Sequence, residues 1–144
     1  HEGQLQGATI RLPVQLGRRA AEKSDPAVEA FYRTLLNEAA HPIYDHGAWT
    51  LCGTAPAWDL NATHNNLIAY TWQYKHERRL IAVNYAAASS QGRIILPECG
   101  LAGRTWNLRD VMTSAHYERE GDDMAEFGLY VDLQPWQVHI FEIS

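Results

Sequence analysis

Residues able to do acid–base chemistry are present in this sequence, but they are scattered. Aspartates stand at Asp45, Asp59, Asp110, Asp122, Asp123 and Asp132. Cleaving a glycosidic bond takes two carboxyl groups held about 5–10 Å apart across it, and no spacing here singles out such a pair. Asp122 and Asp123 fall in a Gly121-Asp122-Asp123 turn, where aspartate serves the backbone geometry, and Asp132 falls on the polar side of a strand. Of the seven histidines, His41 and His46 flank a proline-containing connection, His64 lies in a loop and His139 alternates into a strand. None of these spacings puts two imidazoles on one face with a third ligand nearby, so no metal site is expected. The sequence has no glycine-rich phosphate loop, nucleophile elbow or Cys-x-x-Cys pair, and Ser89, Ser90 and Ser114 have no obvious base partner. No cofactor is expected.

Stacking on a sugar ring asks instead for an exposed flat side chain. There are five tryptophans. Trp72, Trp106 and Trp136 alternate with apolar neighbours and read as core, and Trp49 as core or inter-element packing. Trp58 differs, because it sits in the polar stretch APAWDLNATHNN beside Asp59, Asn61 and Asn65. Trp58, Asp59 and Asn61 are therefore the candidate carbohydrate contacts. The structural alternative is that Trp58 folds back over a sheet edge. Asn61-Ala62-Thr63 also matches the N-glycosylation pattern, a three-residue match that often arises by chance.

These candidates must be positioned by elements of two kinds. Asp25–Ala40 is an amphipathic helix: Asp25 suits the N-cap, Pro26 suits the first helical position, and His41-Pro42 ends it. Val28, Phe31, Tyr32, Leu35 and Leu36 recur at three- and four-residue spacing, a stripe that needs a partner surface. From Gly47 the period changes to two. Asn66–Ala86 reads as an antiparallel hairpin, NLIAYTWQY and RLIAVNYA joined by KHER. Neither face of that hairpin is clearly polar, which places it centrally in a sheet. Further strands are expected at 48–52, 93–96, 105–112, 115–120, 127–133 and 136–143, with a loop over 53–65. About eight short strands separated by turn signals predict a mainly β protein, an antiparallel Greek-key-type sandwich preceded by one helix and an irregular segment.

Composition narrows the partners. The 144 residues carry a formal net charge of −5 with the two signs interspersed, which excludes the basic face a nucleic acid needs. No apolar run approaches the roughly 20 residues that span a bilayer, so no membrane partner is expected. No signal-peptide pattern is present, and a cytoplasmic location is expected. Cys52 and Cys99 are the only cysteines and read as two buried thiols, with one disulfide as the alternative.

The order FYRTLL, NLIAYTWQY, ERRLIAVNYA, ILPE, AGRTWNLRDVMTSAHYERE and GLYVDLQPWQVHIFEI resembles the C-terminal part of α-amylase-family enzymes, glycoside hydrolase family 13. In that family a (β/α)8 barrel carries the chemistry and an antiparallel sandwich, domain C, follows it. The resemblance implies that 1–46 is the end of the barrel, with its last helix over 25–40, and that 47–144 is the sandwich. The start at His1 fits a fragment beginning inside the barrel. The resemblance further implies that the catalytic carboxylates lie on earlier barrel strands, so no catalytic residue is assigned and the chain alone is not expected to be an enzyme. Its expected partners are the missing barrel of the same polypeptide, an α-glucan, and a second copy meeting it through the helix stripe.

Overall fold

The computed structural model describes residues 3–10, 15, 21–97 and 100–144. Cys99 lies outside these residues. Two compact units divide the chain, His1–Ala40 and His41–Ser144.

In the first unit a 3₁₀ turn, Gln4–Gln6, is followed by helix α1, Pro26–Ala39. The helix starts as the sequence predicts. Asp25 caps it by accepting from the amides of Ala27 (2.8 Å) and Val28 (3.3 Å), with Pro26 at the first helical position. Gln6 O accepts the amide of Asp25 (2.9 Å), and Gln4 Nε2 donates to the Tyr32 hydroxyl (3.0 Å), tying the turn to the helix. No residue of α1 is fully buried.

The second unit is the expected antiparallel sandwich. A short helix α2 (Pro42–His46) precedes strands β1 (Ala48–Leu51), β2 (Gly53–Ala55), β3 (Leu67–Tyr74), β4 (Glu77–Asn84) and β5 (Ser90–Ile95). Then come β6 (Thr105–Asp110), β7 (His116–Glu120), helix α3 (Gly121–Phe127), β8 (Leu129–Leu133) and β9 (Val138–Ile143). One sheet has the order β1-β3-β4-β9-β6-β7 and the other β2-β5-β8. The hairpin β3-β4 is interior, as its two apolar faces require. β1 and β2 are one run of chain that changes sheets at the buried Cys52.

The core lies between the sheets. Leu67, Ala69, Leu80, Ala82, Leu108, Phe141 and Ile143 from the larger sheet meet Ile94, Leu129, Val131 and Leu133 from the smaller. Burying side chains of this size contributes about 1.5–3 kcal/mol each. Asn84 is one of the polar residues buried in this layer, with Ser90, Asp110 and His139. Fully buried, it donates through Nδ2 to the carbonyls of Ala88 (2.7 Å) and Gln134 (2.9 Å) and accepts from Ser90 Oγ (3.0 Å).

Three sequence expectations change. The Gly121-Asp122-Asp123 turn is the first turn of α3, whose Met124 is buried in the core. Gly121 is indispensable there, because a Cβ would stand 1.8 Å from Leu101 O. The 53–65 loop begins as β2 and ends in a 3₁₀ turn, Thr63–Asn66. Among the tryptophans only Trp106 is buried, held by Nε1 donating to Leu101 O (2.8 Å), and Trp72 is half-buried. Trp136 is 61% exposed, since it occupies the turn after Pro135 rather than β9, and Trp49 is exposed on an edge strand.

Candidate functional site

Alternation along the strands gives the larger sheet a second, outward face. One lateral row across it runs Trp49, Trp72, Arg79, Glu142 and Arg109, and the next runs Leu51, Tyr70, Ile81 and Ile140. A third joins Ile68, Val83 and Val138. Two β-branched residues of these rows, Ile81 and Ile140, are buried, whereas Trp49, Leu51 and Ile68 are exposed. Trp49 lies 6.1 Å from Tyr70 between ring centroids, and Tyr44 of α2 meets Trp72 edge-on at 5.8 Å. Beyond the strand ends Tyr85 and Trp136, both exposed, meet edge-on at 5.7 Å. A solvated sheet face normally alternates to polar residues. This one instead offers an aromatic and aliphatic surface, the kind that marks an interaction site.

Charge borders that surface. Arg109 binds Glu142 through both Nε (2.9 Å) and Nη2, and Arg79, itself buried, approaches Glu142 at 3.9 Å. Partial burial pushes the Glu142 carboxyl up, but the Arg109 hydrogen bond and the charges of Arg79, Arg109 and His41 outweigh it and hold the group below its usual range. The pair sits in register on the open face, at the far end of the row that begins with Trp49 and Trp72.

The Trp58 loop leaves β2 of the smaller sheet and enters the larger sheet at β3. Trp58 is 57% exposed and Asp59 is exposed next to it. Asn61 is turned inward: it is buried, and its Oδ1 accepts from Thr63 N (2.8 Å) and Thr63 Oγ1 (2.6 Å). Thr63 Oγ1 in turn receives the Gln91 amide (2.9 Å), pinning the loop to β5. A ligand arriving from solvent would therefore meet Trp58 and Asp59, with Asn61 as the support behind them. The same geometry places the Asn61 of the glycosylation pattern out of reach. The stripe of α1 is half-exposed, with Phe31 and Leu36 exposed and Val28, Tyr32 and Leu35 intermediate.

One pair escaped sequence reasoning. Asp110 closes β6 and His139 lies on β9, yet Asp110 Oδ2 and His139 Nδ1 are 2.8 Å apart. Alternation signalled that both face inward, but only the pairing of β6 with β9 brings them together. Among the described residues no cluster of three His, Cys, Asp or Glu side chains could hold a metal ion, and no helix is long and apolar enough to cross a membrane.

No family model and no curated protein matches this sequence. Solved structures share its fold. A noncanonic maltogenic α-amylase, AmyB of Thermotoga neapolitana, superposes with a TM-score of 0.69 at 11% identity, over 99% of this chain and 32% of that one. The α-amylase of Geobacillus thermoleovorans, solved in complex with acarbose, gives 0.60 at 16%, over 87% and 24%. An Anoxybacillus α-amylase gives 0.56 at 13%, over 84% and 23%. The chain thus spans a third or less of the length of these enzymes. The likeness establishes the fold, and it is the fold that the sequence resemblance implied.

Proposed function

We propose that this chain is the C-terminal β-sandwich, with the last barrel helix, of an α-amylase-family enzyme, and that its role is to stabilise a catalytic barrel. The observation that carries this is the apolar outward face of the six-stranded sheet, with Trp49, Leu51 and Ile68 open to solvent in a fold that matches only part of α-amylases. The half-exposed stripe of α1 is a second surface of the same kind. On this reading the partner is the barrel of the same polypeptide, acting on an α-glucan, and the carboxylates that cleave it lie outside this chain. The sandwich contributes buried apolar area rather than a reacting group.

The test is to remove 47–144 from the full-length enzyme. The barrel should then melt at lower temperature or lose solubility, and Trp49→Arg with Leu51→Arg in the intact enzyme should reproduce part of the loss. An unchanged melting temperature with full activity would sink the proposal.

A second reading rests on the exposure of Trp58 beside Asp59. There the loop contacts α-glucan as a carbohydrate-binding element. Maltooligosaccharides should change the tryptophan fluorescence of the chain, and Trp58→Ala should abolish the change. No change at millimolar glucan would count against it.

A further inference from the structure

Even-numbered residues of β4 face into the sandwich, so Arg78 shares the inner face with Leu80 and Ala82, opposite Gln73 of β3 and Ile143 of β9. A cation is thus set at the end of an apolar layer. Its Nη1 is buried and has no hydrogen-bond partner among the described residues. Arg78 also lines a cavity of about 20 Å³, together with Thr71 and Gln73 of β3, Ile143 of β9, and Leu96 and Leu101 of the β5-β6 connection. We propose that this cavity holds a single monoatomic anion, a halide, bound by Arg78.

Three observations support it. The first is the orphaned donor. Buried polar groups are hydrogen-bonded as a rule, and a group that is not asks for a water or an ion beside it. A charged donor left unpaired is the costliest case. Aromatic contact does not meet the need. The Arg78 guanidinium lies 5.1 Å from the centroid of the buried Trp106 ring, and a ring's attraction for the charge supplies no acceptor in the plane of the N–H groups.

The second is charge. Arg104 lies 3.4 Å from the centroid of the same ring, so two guanidiniums share one buried tryptophan. Neither makes an ion pair among the described residues. An anion beside Arg78 lowers the repulsion between them.

The third is size and lining. The cavity's 20 Å³ exceeds the roughly 10–15 Å³ that one water-sized species needs, and it is too small for a sulfate or phosphate. A water would have to find acceptors for its own two protons, and Leu96, Leu101 and Ile143 offer none. An anion needs donors alone, and Arg78, the Thr71 hydroxyl and the Gln73 amide are donors. Held there, the ion ties the end of the β3-β4 hairpin to the β5-β6 connection. The site is on the inner face, so it is independent of the docking role proposed for the outward one.

The 144-residue chain is crystallised in sodium bromide, and its melting is followed in bromide, chloride and gluconate at one ionic strength. Bromide should give an anomalous peak against Nη1 of Arg78. Both halides should raise the melting temperature above that in gluconate, in proportion to the logarithm of their concentration once the site is filled, as binding to the folded state requires. Arg78→Met should lose the peak and the halide increment. Thr71→Val keeps the cation and the side-chain shape and should retain both with weaker affinity, so the site stays testable if the methionine variant does not fold. A bromide peak with no halide increment would mark an adventitious ion only and overturn the proposal. So would a water or a carboxylate of the chain seated on Nη1, or an equal halide increment in Arg78→Met.

Discussion

Nδ1 of His139 lies 2.8 Å from Oδ2 of Asp110, an aspartate with no solvent exposure whose partner ring is 11% exposed. Every acceptor of that carboxylate is engaged. Oδ1 receives the amides of Met112 (3.1 Å) and Ile140 (3.2 Å), and Oδ2 also receives Thr113 Oγ1 (2.6 Å). Burial raises its pKa, but the hydrogen bonds from His139, Thr113 and Met112 and the imidazole charge outweigh burial and leave it lowered. Asp110 thus locks the β6-β7 turn to β9 and fixes the His139 ring.

The sign of that shift sets an acid limit. A carboxylate with a depressed folded-state pKa contributes its stability above the unfolded value, about 3.9. The contribution is lost as pH falls through the folded value. Stability measured by urea denaturation should therefore drop on acidification below about pH 4. Asp110→Asn should remove this part of the drop and lower stability at pH 7 by about 3–5 kcal/mol, the usual cost of breaking a buried pair. An unchanged acid profile would show that Asp110 is not responsible.

Asn84 ends β4 and donates to the carbonyls of Leu133 and Gln134, where β8 passes into the β8-β9 connection, and of Ala88 before β5. Replacing it with Leu would take the Nδ2 donor from all three carbonyls, of which Gln134 O keeps the Gln137 amide (3.1 Å), and would leave Ser90 Oγ without its Asn84 acceptor. The expected loss is about 1–3 kcal/mol per unsatisfied group, read as a lower midpoint in chemical denaturation. Gln91→Ala, at an outward position of β5, serves as the near-neutral comparison.

Gly121→Ala should cost more than its single methyl suggests. The new Cβ would meet the carbonyls of Leu101 (1.8 Å) and Arg104 (2.6 Å), and α3 would have to move off the sandwich. Calorimetry should show a fall in Tm of several degrees. Asp123→Ala, exposed in the same first turn, should show a far smaller one.

The stripe of α1 gives a prediction about association. Phe31 and Leu36 are 43% and 51% exposed. The separate chain should self-associate at high concentration, seen by sedimentation velocity, and Leu36→Glu should shift it toward monomer. A strictly monomeric wild type would remove α1 as a pairing surface.

Sequence by itself determined what depends on near neighbours. Asp25-Pro26 and the apolar spacing set α1, and the alternation of NLIAYTWQY and RLIAVNYA set the interior hairpin, because caps and side-chain periods act within a few residues. It could not say which hairpin face is core: both are apolar, and only the smaller sheet, landing on Leu67, Ala69, Leu80 and Ala82, decides it. The same holds for α3, where Asp122 and Asp123 satisfy a turn or a helix start equally well until Met124 finds the core. Trp136 reads as a strand residue until the Pro135 turn exposes it. Asp110 and His139 are 29 residues apart and meet only because β9 inserts between β4 and β6. Strand order is fixed by long-range burial, and no local signal in the chain encodes it.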